Sequence, residues 1–142
     1  MMRRLALSSI AYTPLREMSL SLVRGLMAVS QFDCIIAVET FCRSRFTVVN
    51  EPEELLITPE RMIDDINAQG WTAGDCDDVA LLSAVLLVIL GFQVRFRATG
   101  IKSDGGYQHV YVEALLGGEW FPVDATIPFR PVPQDNDLIV EV

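Results

Sequence analysis

The stretch Gly74-Asp75-Cys76-Asp77-Asp78-Val79-Ala80-Leu81-Leu82-Ser83-Ala84-Val85-Leu86-Leu87-Val88-Ile89-Leu90-Gly91 decides the fold. Asp75 is placed to be a helix N-cap, and Asp78, three residues on, to be the acidic member of a capping box. From Val79 to Leu90 the helix is apolar almost all round, so it must be buried on most faces and form the core. Gly91 ends it. At the start of this helix stands a cysteine. Unpaired N–H groups in a first helical turn carry partial positive charge, which favours a thiolate and offers donors to a developing oxyanion. The carboxylates at positions 75, 77 and 78 act in the opposite sense. Cys76 therefore needs a cationic partner to become a nucleophile.

His109 is the only imidazole in the chain, so histidine-assisted chemistry has one possible location. After Gly91 the apolar period changes from helical to two. Val94, Phe96 and Ala98 alternate with Arg95 and Arg97, which predicts a half-exposed strand. Gly100 to Gly106 reads as a polar loop. In His109 to Leu115, Val110, Val112 and Ala114 face one side, and His109, Tyr111 and Glu113 the other. Gly117-Gly118 signals a hairpin, and Glu119 to Ala125 is its return strand, with Pro122 pointing to an edge position. Two registers are open. If Leu115 to Gly118 form the loop, His109 lies opposite Asp124; if only Gly117 and Gly118 turn, Asp124 faces Tyr111 and His109 is its diagonal neighbour. Both put His109 and Asp124 on one face, where the carboxylate can hold the imidazole. A thiol, an imidazole and a carboxylate are the parts of a nucleophilic acyl-transfer site.

Upstream, Leu15 to Phe46 reads as two helices or one with a break, from the helical spacing of Leu15, Met18, Leu22, Leu26 and Val29 and the continuation through Phe32, Ile35, Ile36, Val38 and Phe41. Phe46 to Val49 reads as a short extended piece and Asn50-Glu51-Pro52 as a loop. Thr58-Pro59-Glu60-Arg61 starts another helix, with Thr58 as N-cap and Gly70 as the stop. The expected fold class is α+β. N-terminal helices and the buried central helix that begins at the cysteine pack on an antiparallel β-sheet. One domain of residues 1–142 is expected: a helical part to about 48, a core from about 49 to 127, and an extended, proline-rich then apolar tail from 128 to 142.

Composition bounds the rest. Half of the 142 residues are apolar, which argues against disorder, and the net charge of −8 argues against nucleic-acid binding. The run from Val79 to Leu90 falls short of the roughly 20 residues that span a bilayer, so no membrane partner is expected. Ser8 and Ser9 interrupt the weak signal-like start at Met1 to Leu7, and the chain reads as soluble and not exported by this route. Cys34 and Cys42 fall in an apolar helical stretch and read as buried structural thiols. With no close ligand pair, no metal is expected, and no cofactor.

Three stretches together resemble the transglutaminase-like superfamily, a branch of the papain-like cysteine proteases: Gly74-Asp75-Cys76-Asp77-Asp78 with the helix after it, Gln108-His109-Val110-Tyr111-Val112-Glu113, and Trp120-Phe121-Pro122-Val123-Asp124-Ala125-Thr126. Glu51 to Leu55 and Thr58 to Ile63 are similar to the segment before the cysteine in small members encoded by phages and prophages. The resemblance covers roughly Phe46 to Thr126. It implies a papain-like core and a triad of Cys76 as nucleophile, His109 as general base and then acid, and Asp124 as orienter. It also implies an oxyanion site at the Cys76 backbone N–H, with Gln69 or Trp71 open as the second donor. The calcium-binding insertions of larger relatives are missing, which argues against calcium-dependent cross-linking. The expected activity is acyl transfer from an amide or peptide through a thioester, to water or to an amine, with a peptide or protein as substrate. The alternative is a non-catalytic assembly module, for example a virion component, whose tail Leu138-Ile139-Val140 binds a protein partner by strand addition. A thiol redox protein is disfavoured by the lack of a Cys-x-x-Cys pair.

Overall fold

The computed structural model describes residues 1–26, 30–49, 56–101, 103, 106–127 and 131–142. In chain order the elements are α1 (Met2–Ser9), α2 (Thr13–Leu22), α3 (Gln31–Arg45), β1 (Phe46–Val48), α4 (Pro59–Gln69), β2 (Thr72–Gly74), α5 (Cys76–Ile89), β3 (Val94–Thr99), β4 (His109–Leu116), β5 (Glu119–Val123) and β6 (Leu138–Glu141). Val29, the Asn50-Glu51-Pro52 loop and the Glu51 to Leu55 segment lie outside the described residues, as do Lys102, Asp104 and Gly105 of the Gly100 to Gly106 loop and the start of the tail at Pro128.

α5 organises the molecule. Its cap is the reciprocal one expected. Asp75 Oδ1 accepts from the N–H groups of Asp77 (3.0 Å) and Asp78 (3.2 Å), and Asp78 Oδ2 accepts from the Asp75 N–H at 3.0 Å. The helix is buried from Asp77 to Leu87, and α1, α2, α3 and α4 pack on it together with β3 and β4. Ser83 interrupts the apolar run with its polar group satisfied, because its hydroxyl donates to the Val79 carbonyl at 2.8 Å. Gly91, at φ +94°, closes the helix in a conformation that favours glycine.

The main sheet is antiparallel in the order β5-β4-β3-β6. Gly117 and Gly118 both have positive φ, as a two-residue hairpin turn requires. Leu116 therefore pairs with Glu119 and Val112 with Val123. This is the register in which Asp124 projects towards Tyr111, with His109 its diagonal neighbour. Pro122 sits on the edge strand, where a missing N–H costs no ladder bond.

Four features depart from the sequence reading. The first residues form α1 and pack on α5. The extended piece at Phe46 has a parallel partner in β2, with Phe46 opposite Thr72 and Val48 opposite Gly74. Leu138 to Glu141 of the tail fold back as β6 and pair with β3. The half of β3 expected to be exposed is covered: the Arg95 and Arg97 side chains are 15% and 11% exposed, and beside them on β4 Tyr111 is 1% and Glu113 2% exposed. Arg95 and Arg97 converge on Glu113 at 2.7 and 3.1 Å, and Arg97 also donates to Asp137 at 2.7 Å. The alternation in β4 thus separates an apolar interior from a charged one. Among the described residues no helix is long and apolar enough to cross a membrane.

Gly74 is held to glycine by space. A Cβ there would lie 2.7 Å from Asp78 Cβ and 2.8 Å from Asp78 Oδ2. Gly74→Ala must therefore push Asp78 out of the capping box. The expected cost is about 1–3 kcal/mol of stability, read as a lower urea midpoint.

Candidate functional site

Cys76 is the first residue of α5 and is partly exposed. Its position is fixed from both sides. β2 leads into the helix, and the Asp78 carboxylate ties the helix start to the preceding segment by accepting from the Ile57 N–H at 2.9 Å. Asp78 is fully buried, and burial pushes its carboxyl up to about 6 against the opposing pull of the Ile57 and Asp75 N–H bonds. Cys76 Sγ lies 3.8 Å from Asp77 Oδ1, and the same oxygen accepts from the Tyr107 hydroxyl at 3.1 Å. With the Asp77 and Asp78 N–H groups taken by Asp75, the Cys76 N–H is the first-turn donor that makes no hydrogen bond among the described residues.

His109 opens β4 and Asp124 follows β5 directly. The strand register brings them together: His109 Nε2 is 2.5 Å from Asp124 Oδ2. Cys76 is the imidazole's other interacting side chain, and with Nε2 on Asp124, Nδ1 is the nitrogen left for the sulfur. The Tyr111 ring stacks beside it, centroids 6.1 Å apart. Asp124 is 3% exposed, and its other oxygen accepts from the Thr126 hydroxyl (2.6 Å) and N–H (2.9 Å). The Asp124 backbone is held by α3, with its N–H on Glu39 Oε2 at 3.0 Å and its carbonyl on Arg43 Nη2 at 3.0 Å. A thiol, an imidazole and a carboxylate thus form one line of interaction, with the imidazole hydrogen-bonded to the carboxylate.

The electrostatics follow from that line. The hydrogen bond to Asp124, then the interaction with Cys76, raises the His109 imidazole to about 10, against the opposing effect of burial. Burial alone would push Asp124 up, but the bonds from His109 and Thr126 outweigh it and hold the carboxyl below the ordinary carboxylate range. Each shift links stability to pH. The His109 contribution is fully present below its ordinary value of 6.5 and is lost as pH rises towards about 10. The Asp124 contribution is present above the ordinary carboxylate value of 3.8 and is lost as pH falls through the lowered one. Urea midpoints are therefore expected to decline between those two histidine values. The decline should flatten in His109→Gln; an equal slope in both proteins would contradict the pairing.

The other candidates are placed differently. Gln69 ends α4, and its Nε2 donates to the Trp71 carbonyl at 3.0 Å; Trp71 itself is 48% exposed. That bond joins the two candidates to each other rather than to Cys76. Cys34 and Cys42 are buried, and burial raises both thiols, Cys42 to about 12. Sequence reasoning gave Thr126, Tyr107, Glu39 and Arg43 no role at the site. For the last two the available signal was an acid–base pair at i, i+4, with Glu39 falling on the helix face of the apolar Ile35, Val38 and Cys42. Among the described residues, no group of three or more His, Cys, Asp or Glu side chains is placed to hold a metal ion.

The comparisons with known proteins agree with this architecture. A crystal structure described as "a Putative Cysteine Protease from Cytophaga hutchinsonii" matches with a TM-score of 0.59 at 19% identity, over 79% of this chain and 36% of that one. This likeness shows the fold, and the present chain spans just over a third of that protein's length. No curated protein matches the chain. A family model described as the transglutaminase-like superfamily matches residues 22–125, a span that contains Cys76, His109 and Asp124. The chain belongs to the transglutaminase-like superfamily.

Proposed function

We propose that the protein is a cysteine-dependent acyl-transfer enzyme acting on amide or peptide bonds, with Cys76, His109 and Asp124 as its triad. The observation that carries this reading is the chain's only imidazole, hydrogen-bonded to the buried Asp124 carboxylate and interacting with Cys76 at the start of α5. With the imidazole raised as it is, His109 rests protonated at neutral pH, facing the sulfur. The Cys76 thiolate attacks the substrate carbonyl, and the Cys76 N–H stabilises the oxyanion. As the C–N bond breaks, His109 gives its proton to the leaving amine, and the acyl group stays on sulfur as a thioester. Neutral His109 then takes a proton from the incoming water or amine. Attack by that nucleophile breaks the C–S bond and restores the thiolate–imidazolium pair. Asp124 holds the ring throughout.

Water as acceptor makes the enzyme a peptidase or amidase, and an amine makes it a transglutaminase. The likeness of Thr58 to Ile63 to small phage and prophage members supports a peptide substrate in virion or cell-wall processing, in the host cytoplasm or on the virion. The second reading, an assembly module, is favoured by one observation: Leu138, Ile139 and Val140 remain exposed on the edge strand β6. Incubation with casein and a fluorescent primary amine separates the possibilities. New peptides alone mean water as acceptor, and fluorescence fixed in casein means an amine. Either activity should disappear in folded Cys76→Ala. Activity that survives this change would remove the nucleophile. Wild-type protein that shows neither product, and whose Cys76 resists alkylation, would favour the assembly module.

A further inference from the structure

We propose that Glu39 and Arg43 of α3 are positioning residues that set the Asp124 carboxylate against His109. This rests on the Cys76–His109–Asp124 reading. The β4–β5 ladder ends with Val123, so Asp124 stands just beyond the last backbone pairing that could fix it. Its N–H is buried and must be paired. The partner is the Glu39 carboxylate at 3.0 Å, from a residue 85 positions away. The Asp124 carbonyl is bonded by Arg43, and the same guanidinium nitrogen reaches the Ile127 carbonyl at 3.2 Å and Glu39 Oε1 at 3.8 Å. Residues 124 and 127 are thus fastened to one helix, while Thr126 between them closes on the carboxylate.

Helix α3 is itself anchored. Cys34, Ile35, Val38, Phe41 and Cys42 are buried, and the Phe32 ring meets Phe121 of β5 edge-on at 5.3 Å. Glu39 is 3% exposed within this apolar surface. Burying a carboxylate there is costly, and an aliphatic side chain would pack without the penalty. What the carboxylate provides is a charge-assisted hydrogen bond aimed at the Asp124 N–H. Small displacements at a reacting centre cost large factors in rate, about 100-fold for 1 Å. A backbone clamp on Asp124 therefore controls the imidazole through the carboxylate.

Because His109 is the chain's only histidine, its imidazole can be titrated without overlap by ¹⁵N-detected NMR. Among the described residues, Asp124, Cys76 and the stacked Tyr111 are the titratable groups set against it. In Glu39→Ala and in Arg43→Met the His109 titration is expected to fall by about one pH unit or more, with slower alkylation of Cys76. Glu39→Gln keeps a carbonyl oxygen for the Asp124 N–H and should titrate like wild type. Arg43→Met is the decisive variant. Its side chain is 44% exposed, so the protein should fold, and simple loss of a positive charge would raise the imidazole rather than lower it. A rise or no change in folded Arg43→Met overturns the proposal. A Glu39→Gln loss equal to that of Glu39→Ala overturns the hydrogen-bonding role of Glu39. A wild-type His109 with ordinary titration would instead overturn the triad reading beneath it.

Discussion

Asp124→Asn is expected to leave a folded protein whose acyl transfer is slower by about four orders of magnitude, the size of effect seen when a triad carboxylate becomes an amide. The reason lies in how the second oxygen is used. Thr126 donates both its hydroxyl and its N–H to Asp124 Oδ1. An asparagine must keep its carbonyl oxygen there, which turns its NH₂ towards His109 Nε2. Nε2 then becomes an acceptor, and the ring proton moves to Nδ1, the nitrogen facing Cys76. In that tautomer the neutral imidazole cannot take a proton from the thiol or from the incoming nucleophile. Circular dichroism and the urea midpoint check folding, and steady-state rates check the loss. A folded variant within tenfold of wild type would show that Asp124 does not set the tautomer.

The largest effect on stability is expected far from the thiol, at Glu113. This carboxylate is 2% exposed and lies between Arg95 and Arg97 at 2.7 and 3.1 Å. Arg95 also stacks over Trp120, with its guanidinium carbon 4.1 Å from the ring centroid, and Arg97 keeps Asp137 as a second partner. Removing one partner from a buried ion cluster leaves uncompensated charge, which costs about 3–5 kcal/mol. Because Arg97 retains Asp137, Glu113→Ala should fall near the lower end of that range in urea unfolding. Glu113→Gln, which can still accept a hydrogen bond, should cost less. A change below about 0.5 kcal/mol for Glu113→Ala would mean that solvent reaches this face of the sheet.

What could be read from the sequence was whatever is encoded locally. The capping box at Asp75 and Asp78, the all-round apolar α5, the stops at Gly70 and Gly91 and the two-glycine hairpin each depend on residues a few positions apart. Those features carry the cysteine to a helix start and bring His109 and Asp124 to one face, although periodicity left the choice between two registers open. What was missed depends on distant partners. β2 and β6 are short strands defined by pairing with β1 and β3, and α1 is an eight-residue helix with Ser8 and Ser9 in its last turn. The half-exposed face expected of β3 was misread because Arg95 and Arg97 look solvated until Glu113 is seen between them. The hold of Glu39 and Arg43 on Asp124 spans more than 80 residues, and no spacing rule reaches that far.

The central claim is that the His109–Asp124 pair makes Cys76 a nucleophile, and thiol alkylation tests it most directly. Native protein is treated with iodoacetamide at pH 6, and modified cysteines are identified by mass spectrometry in wild type and in His109→Ala. Cys34 and Cys42 are buried and should react only in urea. The account predicts that Cys76 alone is modified in native protein, at least about tenfold faster than a free cysteine thiol at that pH, and that His109→Ala removes the excess. A Cys76 that reacts no faster than free cysteine, at a rate indifferent to His109, would contradict it.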